Sequence, residues 1–250
     1  MLSKLLILLI ATSLLNSGAN MGIAVLLHQF RREPQASQEL AESLLALVTE
    51  NGLSHFVAFG EATRGWAIAE QGQAQEGIAQ IRSGIASQQA LGVGVFHPYW
   101  VTLLADAHKS AGQPEEGLTA LTEALALTQR YKVHFWESEI HRLKGELTLQ
   151  KEFNVQGSTF KVENPQSAFP NPQLEAEECF LKAIEVAQQQ HAKSLELRAT
   201  VSLARLWQQQ GKSTEAHTML STIYHWFTEG FDTVDLQEAK AVLAVLMENR

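Results

Sequence analysis

Cysteine, proline and aspartate are all scarce in this sequence of 250 residues. The single cysteine, Cys179, cannot form an intrachain disulfide, which fits a reducing compartment. Only six prolines occur, and three of them fall between residues 151 and 172. Aspartate is confined to positions 106, 232 and 235, which disfavours carboxylate-rich magnesium sites.

Basic residues are also few, since 19 Lys and Arg stand against 27 Asp and Glu, giving a net charge of −8. Phosphate binding needs a basic face, so we expect no nucleic-acid partner. There is no Gly-x-Ser-x-Gly motif and no evident pair of catalytic cysteine and histidine. Gly211-Lys212-Ser213-Thr214 lacks the first glycine and the preceding strand of a phosphate-binding loop. We therefore predict that the chain is not an enzyme and holds no cofactor.

A repeated spacing of small and large apolar residues is the strongest positive signal. Gly117, Leu121 and Ala124 form a small–large–small triplet, and related triplets mostly follow a 40-residue step. The copies are Ser37–Ala41–Leu44, Gly77–Ile81–Gly84, Ala176–Phe180–Ala183 and Ala216–Leu220–Ile223. Small residues let two antiparallel helices approach closely, while the large residue fills the neighbouring groove. About five helix pairs are predicted, which must stack because no pair buries its apolar face alone.

One irregular step locates an insertion. Ala176 follows Gly117 by 59 residues instead of 40. The small residue of the first helix in each pair keeps the 40-residue step as far as Gly145, so the extra residues come later. We predict an inserted loop at residues 151–172, which is either a variable surface loop or a loop that contacts a partner.

The pattern Ala176-x3-Phe180-x2-Ala183, preceded by Gly145, resembles the packing signature of the tetratricopeptide repeat. The standard repeat has about 34 residues, and this one has 40. The resemblance implies an all-α fold, an α-solenoid of about five tetratricopeptide-like helix pairs. A last helix with one apolar stripe is expected to cap its C-terminal end. The stripe consists of Leu236, Ala239, Val242, Leu243 and Leu246.

Longer segments resemble the C-terminal helical arrays of bacterial proteins that join a cyclase-like or other signalling domain to an AAA-type ATPase. These segments are His28–Ser37, Gly65–Ile81, Glu139–Leu149, Ala192–Trp207 and Phe227–Lys240. Neither the cyclase nor the ATPase part is present, so their activities do not transfer. The resemblance implies a regulatory or interaction module in bacterial signalling. Its partner would be a protein or peptide, and a cyclase or ATPase signalling protein is one candidate.

The N-terminus is open to two interpretations. Residues 1–20 have a basic start, an apolar run from Leu5 to Leu15, and Ser17-Gly18-Ala19 as a cleavage site. They form either a signal-like segment or an apolar helix outside the repeat domain, which we place at residues 21–250. The run is too short for comfortable bilayer spanning, so we expect no stable membrane insertion. We expect a cytoplasmic protein. The alternative, if residues 1–19 act as a signal peptide, is a secreted or periplasmic solenoid that binds a peptide or small ligand.

Binding residues are expected on the first helix of each pair, because these helices line the concave groove in tetratricopeptide arrays. The candidates are Arg64, Tyr99, Glu137, His141, Arg142, Lys144, Glu196, Arg198 and Arg205. For each, the alternative is an inter-helix salt bridge or another structural contact. A basic strip of Arg142, Lys144, Arg198 and Arg205 would favour an acidic peptide. His134, Glu137 and His141 share a helical spacing, but too few ligands accompany them, and no metal is predicted.

Overall fold

The computed structural model describes residues 2–92, 94–157 and 171–248, with backbone only for residues 2–15 and 155–157. All regular structure in these ranges is helical, as the composition and the absence of alternating patterns predict. Within the same ranges, no helix combines the length and the apolar character that crossing a bilayer requires. The chain divides into two compact units, Met1–Ala111 and Gly112–Arg250.

The first unit contains five α-helices and one 3₁₀ turn, Ser54–Phe56, among its described residues. The helices are α1 Leu2–Phe30, α2 Pro34–Asn51, α3 Val57–Glu70, α4 Ala74–Ala90 and α5 His97–Ser110. Each helix packs against the next one in the chain, and α3 also contacts both α1 and α5. This is the layering expected when the first helices of successive pairs lie side by side.

The second unit contains six described helices. They are α6 Pro114–Tyr131, α7 Glu137–Gly157, α8 Pro172–Gln189, α9 Lys193–Gln209, α10 Ser213–Tyr224 and α11 Val234–Glu248. Neighbours in sequence again pack together, and α9 contacts both α7 and α11. The predicted capping helix is therefore present, and all five residues of its apolar stripe are buried against α9 and α10.

The predicted triplets all lie inside the packed layers. Every residue of the five copies is buried in helices α2, α4, α6, α8 and α10. Gly65 on α3 shows why the positions must be small, since a Cβ there would lie 2.6 Å from the carbonyl oxygen of Gly77. In the second unit a Cβ on Gly145 would lie 2.5 Å from the Phe180 ring. The spacing in the sequence thus marks the contact line within each helix pair.

Glycine follows the first helix of several pairs, at the turn to the second helix. Gly72, Gly112 and Gly211 have φ angles of 91°, 70° and 78°. This left-handed conformation is strained for residues that carry a Cβ and common for glycine after a helix end.

Hydrogen bonds show the 40-residue period in three dimensions. The Trp66 indole N–H donates to Asp106 Oδ2 at 2.9 Å, and Ser110 Oγ donates to Glu70 Oε1 at 2.9 Å. Each pair is separated by 40 residues and links α3 to α5. Equivalent residues of successive first helices are therefore direct neighbours.

Two predicted boundaries differ from the helix limits. Helix α7 runs to Gly157, so residues 151–157 of the predicted loop at residues 151–172 are helical. At the other end of the loop, Pro172 begins α8. The helix continues because Lys151–Gly157 contains no proline; the prolines at 165 and 170 lie outside the described residues. Helix α1 crosses the predicted boundary at residue 20 without a break, and Gly18 already packs against Phe56.

Candidate partner-binding site

The predicted binding residues of the first unit occupy different environments. Tyr99 on α5 is fully buried, its hydroxyl donates to Gln29 Oε1 at 2.7 Å, and its ring meets Phe30 edge-on at 5.7 Å. Arg64 on α3 is partly accessible, and its Nε donates to Glu42 Oε1 at 2.9 Å. Tyr99 therefore contributes to packing, and Arg64 is the accessible candidate of this unit.

Arg142 on α7 is buried within a polar cluster of the second unit. Its Nε and Nη2 donate to the two carboxylate oxygens of Glu139 at 2.9 and 2.6 Å. Its Nη1 donates to Glu146 Oε1 and, at 3.5 Å, to Ser202 Oγ on α9. Ser202 in turn donates to Glu146 at 3.0 Å. This two-oxygen contact with Glu139 is the geometry in which arginine binds carboxylates most strongly.

Arg198 on α9 extends the same cluster towards the C-terminal helix. Its Nη2 donates to Asp235 Oδ2 at 2.8 Å, and its Nη1 donates to Glu139 Oε1 at 3.4 Å. Burial alone would lower the pKa of Arg198, but Glu139 and Asp235 together raise it above the ordinary value. The guanidinium is therefore held charged between α7 and α11.

The predicted basic strip is not a surface feature at two of its four positions. Arg142 and Arg198 are only 7% and 6% exposed, and carboxylates surround both. Lys144 and Arg205 are accessible, but each lies near a carboxylate, with Glu175 at 3.7 Å and Glu238 at 3.8 Å. Arg142 is held mainly by Glu139 and Glu146 of its own helix, and Arg198 by Glu139 and Asp235 of the helices beside it.

Glu196 and Glu137 also have local partners. Glu196 on α9 is buried, and it accepts hydrogen bonds from Gln188 at 3.0 Å and from Lys193 at 2.7 Å. Glu137 on α7 is partly exposed and lies 2.8 Å from His134 Nδ1. Glu137 can therefore reach a binding partner without rearrangement, whereas Glu196 cannot.

His141 and Lys144 share an open cleft between α7 and α8, with a volume of about 560 Å³. Helix α8 and its N-cap complete the lining with Asn171, Leu174, Glu175, Glu178, Cys179 and Lys182. Burial lowers the pKa of His141, which favours the neutral ring, and burial raises the pKa of the Cys179 thiol. The cleft thus offers two lysines, two glutamates, a neutral histidine and the exposed side chain of Leu174.

The cleft falls in the size range of small-ligand and peptide sites. Its α7 side was predicted through His141 and Lys144, whereas its α8 side was missed. That side belongs to a second helix of a pair, where the sequence indicated only packing. The residues Ala176, Phe180 and Ala183 carry that packing signal, and the cleft residues Glu178, Cys179 and Lys182 lie between them in the sequence.

Glu139, the carboxylate between Arg142 and Arg198, was missed as well. Glu139 and Arg198 are separated by 59 residues, the step that the insertion imposes on the repeat. A search for opposite charges at this separation would have found them. Among described residues, no three His, Cys, Asp or Glu side chains are grouped to hold a metal ion.

Comparison with known proteins yields structural similarity only. No family model matches the chain, and no curated protein matches it. One similar solved structure comes from Podosopora anserina. It is a variant of a protein described as a kinesin light chain, and it consists of TPR-like repeats that are nearly identical to one another. It is 16% identical, has a TM-score of 0.52, and the match covers 92% of this chain and 96% of that chain.

A second crystal structure of those repeats is 17% identical, with a TM-score of 0.48 and coverage of 91% and 95%. Identity at this level is informative about fold alone. Together with the buried triplets and the 40-residue contacts, the first match establishes an all-α solenoid of tetratricopeptide-like helix pairs.

Proposed function

We propose that this chain is a non-catalytic interaction scaffold that binds a protein or peptide partner. The observation that carries the proposal is the repeat fold, because stacked helix pairs expose extended surfaces suited to binding. The two buried arginines of the second unit are engaged by carboxylates, Arg142 within α7 and Arg198 by Asp235 of α11.

The cleft between α7 and α8 is our proposed contact site for that partner. Its lining pairs charges of both signs with Leu174, which is 56% exposed. A short peptide segment with an apolar side chain flanked by charged groups would complement this lining. Arg64 and Arg205 are proposed as additional accessible contacts, each within its own unit.

The resemblance to helical arrays of bacterial signalling proteins supports a finer proposal. The partner would be a signalling protein with a cyclase-like or ATPase domain, and the array would act as its regulatory module in the cytoplasm. A mature N-terminus near Asn20, found by sequencing the expressed protein, would indicate export instead.

Affinity capture with the full chain tests the proposal. We expect wild type to retain a defined protein from a native lysate of the source organism. Lys144→Glu and Leu174→Asp, which alter the cleft, should each reduce retention at least about tenfold if contact is made there. Arg130→Glu on α6 is the matched control, because Arg130 is exposed outside the cleft.

Equal retention by all variants would remove the cleft from the proposal. Failure of wild type to retain any protein would contradict the scaffold role itself. Nucleotide turnover by the purified chain would contradict its non-catalytic character.

A further inference from the structure

The C-terminal helix α11 is attached to the second unit by one buried ion pair and one apolar stripe. Asp235, in its first turn, is 9% exposed and accepts hydrogen bonds from Arg198 Nη2 at 2.8 Å and Nε at 3.2 Å. The Glu139 carboxylate on α7 approaches the same guanidinium at 3.4 Å. Asp235 therefore connects α11 to both α9 and α7 through a single arginine.

The apolar part of the attachment is limited to two neighbouring helices. Helix α11 packs on α9 and α10, where its stripe covers Leu197, Val201 and Leu220 among others. It joins α10 through residues 225–233, which include Gly230 with φ of 77°. Because α11 packs on α9 and α10, its departure from this surface would leave the packing between α7 and α8 in place.

Ionic and apolar contacts respond differently to such an opening. When α11 leaves, Arg198 and Asp235 both regain water, which compensates for much of their lost attraction. The pair therefore adds little net stability, yet removing one partner leaves the other charge buried and destabilises the closed arrangement strongly. A pair of this kind fixes the position of a helix more than it increases overall stability.

We propose that Arg198 and Asp235 form an electrostatic latch that controls whether α11 is closed over α9 and α10 or open. The open form exposes the apolar surface beneath α11, while α7, α8 and the remainder of the unit keep their structure. Local opening of single elements, separate from global unfolding, is a known property of folded proteins.

Hydrogen–deuterium exchange of the full chain tests the latch. We expect Asp235→Ala to increase the exchange rate of α11 amides at least tenfold and to leave α8 amides within twofold of wild type. Alanine favours helix formation, although the substitution also removes a first-turn carboxylate that interacts favourably with the helix dipole. Glu238→Ala is the matched control, because Glu238 lies on the same helix and faces the exposed Arg205 at 3.8 Å. It should leave α11 exchange within twofold.

A double substitution distinguishes the latch from a general effect of losing a carboxylate. Arg198→Leu with Asp235→Leu replaces the pair by apolar groups, and Glu139 retains its two hydrogen bonds to Arg142. We expect this variant to restore slow α11 exchange to within about threefold of wild type, since apolar replacements of buried pairs are tolerated.

Two outcomes would overturn the proposal. Unchanged α11 exchange in Asp235→Ala would mean that the apolar stripe alone holds the helix. An equal increase across α7 to α11 would mean that the pair stabilises the whole unit and controls no separate opening.

Discussion

One position of the repeat corresponds to residues 59, 99, 139 and 198. The side chains at this position are aromatic in the first unit and charged in the second. In the first unit it holds Phe59 and Tyr99, and Phe59 meets Trp100 edge-on at 5.0 Å. In the second unit it holds Glu139 and Arg198, which form a buried ion pair. Neighbouring first helices are thus joined near this position by aromatic packing in one unit and by an ion pair in the other.

This difference explains why polar first-helix residues are poor indicators of a binding surface. In the second unit a charged residue at the shared position lies under the neighbouring helix, where its partner is another charged residue. In the first unit the same position is aromatic and packs within a ring cluster. Glu139 and Arg198 are buried like Tyr99, so polarity at this position does not indicate exposure.

The largest expected effect comes from removing the buried Arg142 of the second unit, and removing Arg64 of the first unit provides the contrast. Arg142→Ala should reduce the free energy of unfolding by about 3–5 kcal/mol, because Glu139 loses its main partner while buried. Arg64→Ala should cost less than about 1 kcal/mol, since its Glu42 partner is exposed. Urea denaturation of both variants measures the contrast. Similar losses would show that the two arginines have equivalent environments.

A second contrast concerns the glycines of the helix pairs. Gly65→Ala should destabilise the protein by about 1–3 kcal/mol, because the new Cβ meets the backbone of Gly77, which cannot move aside. Gly145→Ala meets the Phe180 ring instead. Adding Phe180→Leu should therefore recover part of the loss at Gly145, and thermal unfolding of the single and double variants provides the measurement.

The matched double variant, Gly65→Ala with Phe180→Leu, should show additive losses because the two residues belong to different compact units. Recovery in this control would mean that Phe180→Leu stabilises the protein independently of Gly145.

Tyr99→Phe should have a smaller effect, about 1 kcal/mol, because it deletes one buried hydrogen bond and leaves the ring in place. Gln29→Leu removes the acceptor of the same hydrogen bond. The losses in stability from Tyr99→Phe and Gln29→Leu should therefore add only if this bond does not contribute to stability. A double-mutant cycle in chemical denaturation measures the coupling between Tyr99 and Gln29, and a coupling near zero would contradict the assigned contact.

The helices and their pairing were predictable because they depend on local spacing. Gly117, Leu121 and Ala124 encode a contact line within one helix pair, and copies of it repeat at fixed steps. The burial of Arg142 depends instead on Ser202 and Glu146, and that of Arg198 on Asp235, 37 residues away on another helix. Hydrophobic periodicity carries no information on such pairings, so the exposure of candidate site residues could not be inferred from it.

The smallest effects are expected from pH, with opposite signs in the two units. Partial burial of its carboxylate and the neighbouring Asp106 raise the pKa of Glu70 above 4.5, although the residue as a whole remains exposed. Its ionisation therefore disfavours folding, and this cost appears as pH rises through the folded-state pKa. Glu70→Gln should stabilise the protein slightly at pH 7, and the gain should vanish below pH 4.5.

Burial lowers the pKa of His141 below 6.5, so the folded state prefers the neutral ring. The contribution of His141 to stability is present above pH 6.5 and is lost as pH falls through the folded-state pKa. His141→Gln should therefore flatten the decline in stability below pH 6.5, measured as the urea midpoint at several pH values. An unchanged pH profile in this variant, beside a changed one in Glu70→Gln, would show that only the carboxylate site of the first unit is coupled to folding.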